Sequence, residues 1–230
     1  MSIEAAEPRW PKLLSLAVHE FRTPITVVAG YIRMVLRERA GPISDQQRKL
    51  LEEAEKSCGR LSALVTEMSD LSALEAGTAA FNSSTVDLEG ILTEAIDGVP
   101  ELPDREVALT VDGTGPASLS GDATRLRSAL VALLVALRRE VVNSDRLIVR
   151  RLSGDGMGGT TVSTLAIGEP ETIDAIASAD PASLDRFDEW RGGSGLSLAI
   201  ARRVIERHGG KLYAPPGGTK AGAVVLLPRL

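Results

Sequence analysis

The sequence predicts two folded parts, a helical hairpin that forms a dimeric four-helix bundle and, after it, an α/β sandwich. Three observations lead there. Apolar residues recur at alternating spacings of four and three between positions 14 and 35, and again between 51 and 68. After Gly77 that rhythm gives way to short extended runs separated by turn residues. Those runs are interspersed with helical stretches, the pattern of a mixed sheet covered on one face by helices. A chain of 230 residues is long enough for two such domains, each with its own core. The division is expected as residues 1–77 and 78–230.

The first helix carries the seam Leu14, Val18, Phe21, Ile25, Val28, Ile32 and Val35 and is expected to end near Gly41-Pro42. Pro24 removes one backbone donor and bends it. Ser44 or Asp45 can cap a second helix with seam residues Leu51, Ala54, Cys58, Leu61, Val65 and Met68, widened by Leu64 and Leu71. A hairpin with so wide an apolar face pairs with a second copy, giving a homodimer. Beyond Gly77, residues 83–88 read as extended and 89–97 as helical. Strands are expected at 106–111 and 117–120, and a helix over 124–142. Further strands at 146–152 and 161–167 precede an irregular stretch through Trp190. A helix over 196–208 and a hairpin of 211–213 with 223–227 close the chain. The glycines of "SGDGMGGTT" imitate a phosphate-cradling loop, but their place between two strands makes a hairpin turn the better reading.

Composition narrows the function classes. A formal charge of -5 argues against a nucleic-acid or anionic-membrane partner, both of which reward a basic surface. The single cysteine, Cys58, can form neither an intrachain disulfide nor a thiolate metal cluster, and its seam position suits a small core residue. The longest apolar run, residues 129–137, is far short of the roughly 20 residues a spanning helix needs. Cytoplasmic localisation, protein partners and no membrane association are therefore expected.

One of only two histidines sits at position 19, one residue past the seam residue Val18 and so about 100° around the helix, at the edge facing water. Glu20 beside it can hydrogen-bond one ring nitrogen and make the other a better nucleophile or base. Thr23, four residues on, stands over the same face with a hydroxyl able to orient water. The stretch "HEFRTP" on a heptad helix, followed by a second seam helix and an α/β domain, resembles the dimerisation and phosphoacceptor domain of the histidine kinases of two-component signalling. The resemblance implies His19 as the phosphorylated residue, Glu20 as its acid/base partner and Thr23 as the residue that positions water when a response regulator is dephosphorylated.

Residues after Gly77 resemble that family's ATP-binding domain, unevenly. "RGGSGLSLAI" is similar to its glycine box, so Gly193 and Gly195 are the expected remnant of a nucleotide loop, with Ser197 in place of the last box glycine. "ERHGGKLYA" resembles the family's closing hairpin, which makes His208 structural. Against the family pattern of two asparagines four residues apart that hold magnesium, the helix offers Ala132 and Ala136. Asn143 lies too far along to replace them. Where a strand ends in Asp-x-Gly-x-Gly in the family, this chain has Gly168, Pro170 and Thr172.

An intact histidine face beside a defective nucleotide site resembles the histidine phosphotransferases that couple a bundle to a degenerate kinase-like domain. The expectation is a phosphorelay homodimer in which His19 exchanges a phosphoryl group with the aspartate of a response regulator receiver domain. No metal or cofactor of its own is expected, and an upstream kinase or sensor is a further candidate partner. One alternative is a sensorless histidine kinase that uses ATP and magnesium; another is a non-catalytic pseudokinase that binds a regulator or a kinase. About a dozen residues precede the first seam position, so the signal is expected through a partner or another part of a longer protein.

Overall fold

The computed structural model describes residues 9–113, 117–155, 161–191, 193–218 and 221–230. It divides into two compact units, residues 1–79 and 80–230.

The first unit is a helical hairpin of α1 (Arg9–Leu36) and α2 (Asp45–Glu75). Helix α1 runs unbroken through Pro24 and stops one turn before the expected Gly41. A reversal over residues 37–40 ends it, in which Glu38 adopts φ 55° and Gly41 φ 112°, the second a conformation that suits glycine. Helix α2 opens on a capping box. The Ser44 hydroxyl accepts from the Gln47 amide (3.3 Å), while the Ser44 amide donates to the Gln47 side chain (2.8 Å). The two helices are tied at one end by the buried Ser72 hydroxyl, which donates to the Pro11 carbonyl (2.9 Å), and at the other by Arg48, bound to Glu38 and to the Leu36 carbonyl.

The predicted seam is divided between two surfaces. Leu14 and Val18 of α1 and Cys58, Val65 and Leu71 of α2 are buried within the hairpin, as is Ala29 from outside the predicted seam. Phe21, Val28, Leu61 and Leu64, from the same seams, are exposed, together with Val27, Tyr31 and Met34. A single hairpin has one inner face and cannot cover an apolar stripe this wide. Among the described residues no helix is long and apolar enough to cross a membrane.

The second unit contains β1 (Ser84–Asp87), α3 (Leu88–Asp97), β2 (Ala108–Asp112), β3 (Ser118–Gly121), α4 (Ala123–Glu140), β4 (Arg146–Asp155), β5 (Thr161–Gly168), α5 (Ile173–Ala177), α6 (Ser197–Arg207), β6 (Lys211–Tyr213) and β7 (Ala223–Pro228). Two short 3-10 turns, Pro181–Ser183 and Pro216–Gly218, complete it. Five strands form a mixed sheet in the order β2-β4-β5-β7-β6, with β2 and β4 parallel and the other pairs antiparallel. The single sheet expected from the sequence is in fact two, since among the described residues β1 and β3 pair only with each other. The turn expected within "SGDGMGGTT" falls on residues 156–160, outside the described residues.

Strand alternation gives the main sheet two apolar faces. Register places Val149, Leu165, Ile167 and Val225 on one face, all fully buried, and α3, α4 and α6 supply the helical layer. The opposite face is not bare, as a sheet covered by helices on one side alone would leave it. Ile173 and Ile176 of α5 pack on Ala166 and Val224 there, and Arg150 of β4 pairs with Asp112 (2.8 Å) and with Asp174 of α5. The stretch expected to be irregular therefore contributes a second layer.

The second histidine holds a corner of this unit. The Asp122 amide donates to Nε2 of His208 (2.9 Å), which leaves Nδ1 to carry the proton and donate to the Val204 carbonyl (2.7 Å). Asp122 caps α4 through Arg125 and also accepts from the Asn82 amide (2.9 Å). Burial works against its charge, but these amides and the Arg125 guanidinium hold its carboxyl below the usual range. A side chain at Gly121 would stand 2.4 Å from the His208 ring, so the two positions constrain each other.

Candidate functional site

Helix α1 brings three of the predicted site residues together by periodicity alone. His19 is 80% exposed, with Nδ1 3.3 Å from the Glu20 carboxylate, itself 70% exposed. Such a contact favours Nδ1 as the protonated ring nitrogen and leaves Nε2 with its lone pair turned to solvent. Thr23 is exposed one turn further along. Pro24 removes the amide that would otherwise bond the Glu20 carbonyl, loosening the backbone ladder beside the histidine. The face can therefore present a nucleophilic nitrogen, a base and a hydroxyl to an incoming electrophile.

Gly193 and Gly195, the other predicted site residues, belong to the second unit, in the loop before α6. Their φ angles of 84° and 58° require glycine or tolerate little else. This loop is fastened by side chains, of which the sequence had marked only Ser197. Arg191 forms an ion pair with Glu140 at the end of α4 (2.5 Å) and stacks on buried Phe187 at 4.3 Å. Arg139 donates to the Gly193 carbonyl (3.1 Å), and the Ser197 hydroxyl donates to the Ser194 carbonyl (2.6 Å). The adjacent cation and anion at Arg139-Glu140, with Arg191 just before the glycines, were the available signal. Two residues before Arg191, Glu189 forms a buried ion pair with Arg202, the two 8% and 5% exposed, that anchors the same segment to α6.

Two of the positions where the sequence departs from the family pattern, Ala136 and Gly168, are buried. Ala136 is buried, and neither it nor Ala132 offers an oxygen or nitrogen ligand. Helix α4 ends at Glu140, two residues earlier than expected, so Asn143 is not on the helix at all. A Cβ at Gly168 would meet Ile176 Cδ1 at 2.6 Å and Thr172 Oγ1 at 3.1 Å. The carboxylate beside it, Glu169, is buried and accepts from the Val142 (3.1 Å) and Asn143 (2.9 Å) amides, which places it in the connection after α4. Among the described residues, no group of three or more His, Cys, Asp and Glu side chains could hold a metal.

Residues 12–77 match the family model described as His Kinase A (phospho-acceptor) domain, the segment that carries the exposed histidine. Relatives extend the likeness over most of the chain: the circadian input-output histidine kinase CikA of Synechococcus elongatus is 28% identical over 91% of this chain. The likeness to histidine kinases thus runs from the phospho-acceptor segment across most of the chain. Sensor protein VanS of Enterococcus faecium is 26% identical over 98% of this chain. The chain spans 28% of the length of CikA and 59% of that of VanS. Full-length ShkA, solved in complex with AMPPNP, has the same fold with a TM-score of 0.61, at 23% identity over 95% of this chain and 45% of its own. The Acinetobacter baumannii histidine kinase AdeS aligns with a TM-score of 0.57, at 18% identity over 91% of this chain and 97% of its own.

Proposed function

We propose that this protein is a phosphorelay member of the two-component histidine kinase family whose His19 exchanges a phosphoryl group with the aspartate of a response regulator, and that its own nucleotide site is defective. The observation that carries the second half is the packing at Gly168, where Ile176 and Thr172 fill the space a family carboxylate would need. Ala132 and Ala136 point the same way, because methyl groups cannot hold the metal that neutralises a triphosphate. The residues present do not fit ATP and magnesium.

Exchange with a receiver asks little of the second unit. In the forward step the lone pair of His19 Nε2 attacks the phosphorus of an aspartyl phosphate. The P–N bond forms, the P–O bond to the aspartate breaks, and the regulator's carboxylate leaves with the electron pair. Glu20 holds the imidazole by its Nδ1 side while positive charge develops on the ring. In the reverse step the phosphoryl group returns to the aspartate. Thr23 would orient water for hydrolysis of the regulator's phosphate, a reaction that can accompany transfer. The exposed stripe of Phe21, Val28, Leu61 and Leu64 supports assembly of two copies into a four-helix bundle.

Titration calorimetry of the full chain with ATP and magnesium tests the nucleotide half of this reading. The expected result is no saturable heat up to millimolar nucleotide. Saturable binding, followed by transfer of the γ-phosphate to His19, would overturn it in favour of a working kinase.

A further inference from the structure

Between α4 and the connection that follows α3 lies a groove of about 380 Å3 that no step above uses. Its apolar wall is formed by Val99, Leu102 and Val135. Its polar wall is unusual in charge, because Arg105, Arg138 and Arg139 all line it. Arg105 donates to the carbonyls of Val141, Arg138 (3.3 Å) and Arg139 (2.8 Å) at the end of α4. Arg138 donates to the Pro100 carbonyl (3.1 Å) and Arg139 to the Gly193 carbonyl (3.1 Å).

Every one of these acceptors is a neutral carbonyl. Among the described residues none of the three guanidinium groups has a carboxylate within ion-pair distance, although Glu101 and Asp104 also line the groove. Arg138 is the decisive member. It is only 8% exposed, and its buried Nε–H has no acceptor. A buried cation with an unmet donor is costly, and an oxyanion is the group that relieves it. Guanidinium groups receive carboxylate and phosphate oxygens in paired hydrogen bonds, and the groove's volume lies at the lower end of the roughly 300–1,000 Å3 typical of small-molecule sites.

We propose that this groove binds a small organic anion, its carboxylate or phosphate held by Arg138 with Arg105 and Arg139, and its apolar body laid against Val99, Leu102 and Val135. Occupancy reaches the glycine loop directly, because a ligand drawn onto Arg139 competes with the Gly193 carbonyl for the same guanidinium.

The test is an amide NMR titration of the full chain with benzoate, phenyl phosphate, inorganic phosphate and benzyl alcohol. Saturable shifts confined to residues 99–105, the last turn of α4 and Gly193 are expected with benzoate or phenyl phosphate. Whichever binds more tightly identifies the head group. At least tenfold weaker binding is expected for inorganic phosphate and for benzyl alcohol, each of which lacks one half of the ligand. Arg139→Gln, an exposed substitution, should weaken the organic anions about tenfold, and Leu102→Trp should block them by filling the apolar wall. The proposal is overturned if neither organic anion gives saturable shifts in this groove, or if both variants, folded by their spectra, bind as the parent does.

Discussion

His19→Ala abolishes acceptance of a phosphoryl group from a phosphorylated receiver domain, with a loss limited only by the detection of label. The reason is chemical rather than structural. His19 is exposed and its contact is with the neighbouring Glu20, so alanine, a better helix former, leaves the hairpin intact while removing the only imidazole on α1. Circular dichroism of the variant should match the parent. Glu20→Gln keeps the shape of the side chain but removes its charge, and should slow transfer by roughly 10²- to 10⁴-fold, the usual range for an acid/base partner. Thr23→Ala should spare transfer and slow only the hydrolysis of the regulator's phosphate. Following label on both proteins over time separates the three outcomes. A His19→Ala protein that still takes up label would remove His19 from the chemistry.

Glu189→Ala should destabilise the second unit by about 3 kcal/mol or more, seen as a fall in the urea midpoint of that unit with the hairpin unaffected. Glu189 and Arg202 are 8% and 5% exposed, and alanine would leave the guanidinium buried with Glu206 (2.9 Å) as its remaining carboxylate. Replacing both members with apolar residues of similar volume, Glu189→Leu with Arg202→Met, should recover most of the loss, because the cost lies in a buried charge left with one partly exposed carboxylate rather than in the missing attraction. A loss below about 1 kcal/mol for Glu189→Ala would mean that water reaches this pair.

The helical hairpin was almost fully legible in the sequence because its signal is local. A four-three apolar rhythm and a Ser-x-x-Gln cap specify both helices without knowledge of the rest of the chain. The rhythm does not say which seam residues face the sister helix and which stay open, as Val18 and Phe21 illustrate. In the second unit the strands were legible but their partners were not. Pairing of β1 with β3, and of β2 in parallel with β4, joins segments 30 or more residues apart that carry no mark of each other. The short α5 escaped notice because five residues show no periodicity, yet Ile173 and Ile176 from it close the second face of the sheet and fill the space over Gly168.

The candidate site divides in the same manner. His19, Glu20 and Thr23 lie within five consecutive residues, so helix geometry alone brings them together. The fastening of the glycine loop by Arg191, Glu140 and Arg139 joins residues some 50 positions apart and became visible only in the fold. That loop was expected as the remnant of a nucleotide loop. Its structure is one in which side chains of the protein itself already engage the backbone and charges around it.

The most direct test of the central claim is a paired labelling measurement on the full chain. One sample receives ATP labelled in the γ-phosphate with magnesium, the other a receiver domain carrying labelled aspartyl phosphate, and both are read for acid-labile, base-stable label that depends on His19. Label from the receiver and none from ATP is the predicted result; label from ATP and none from the receiver would contradict the account.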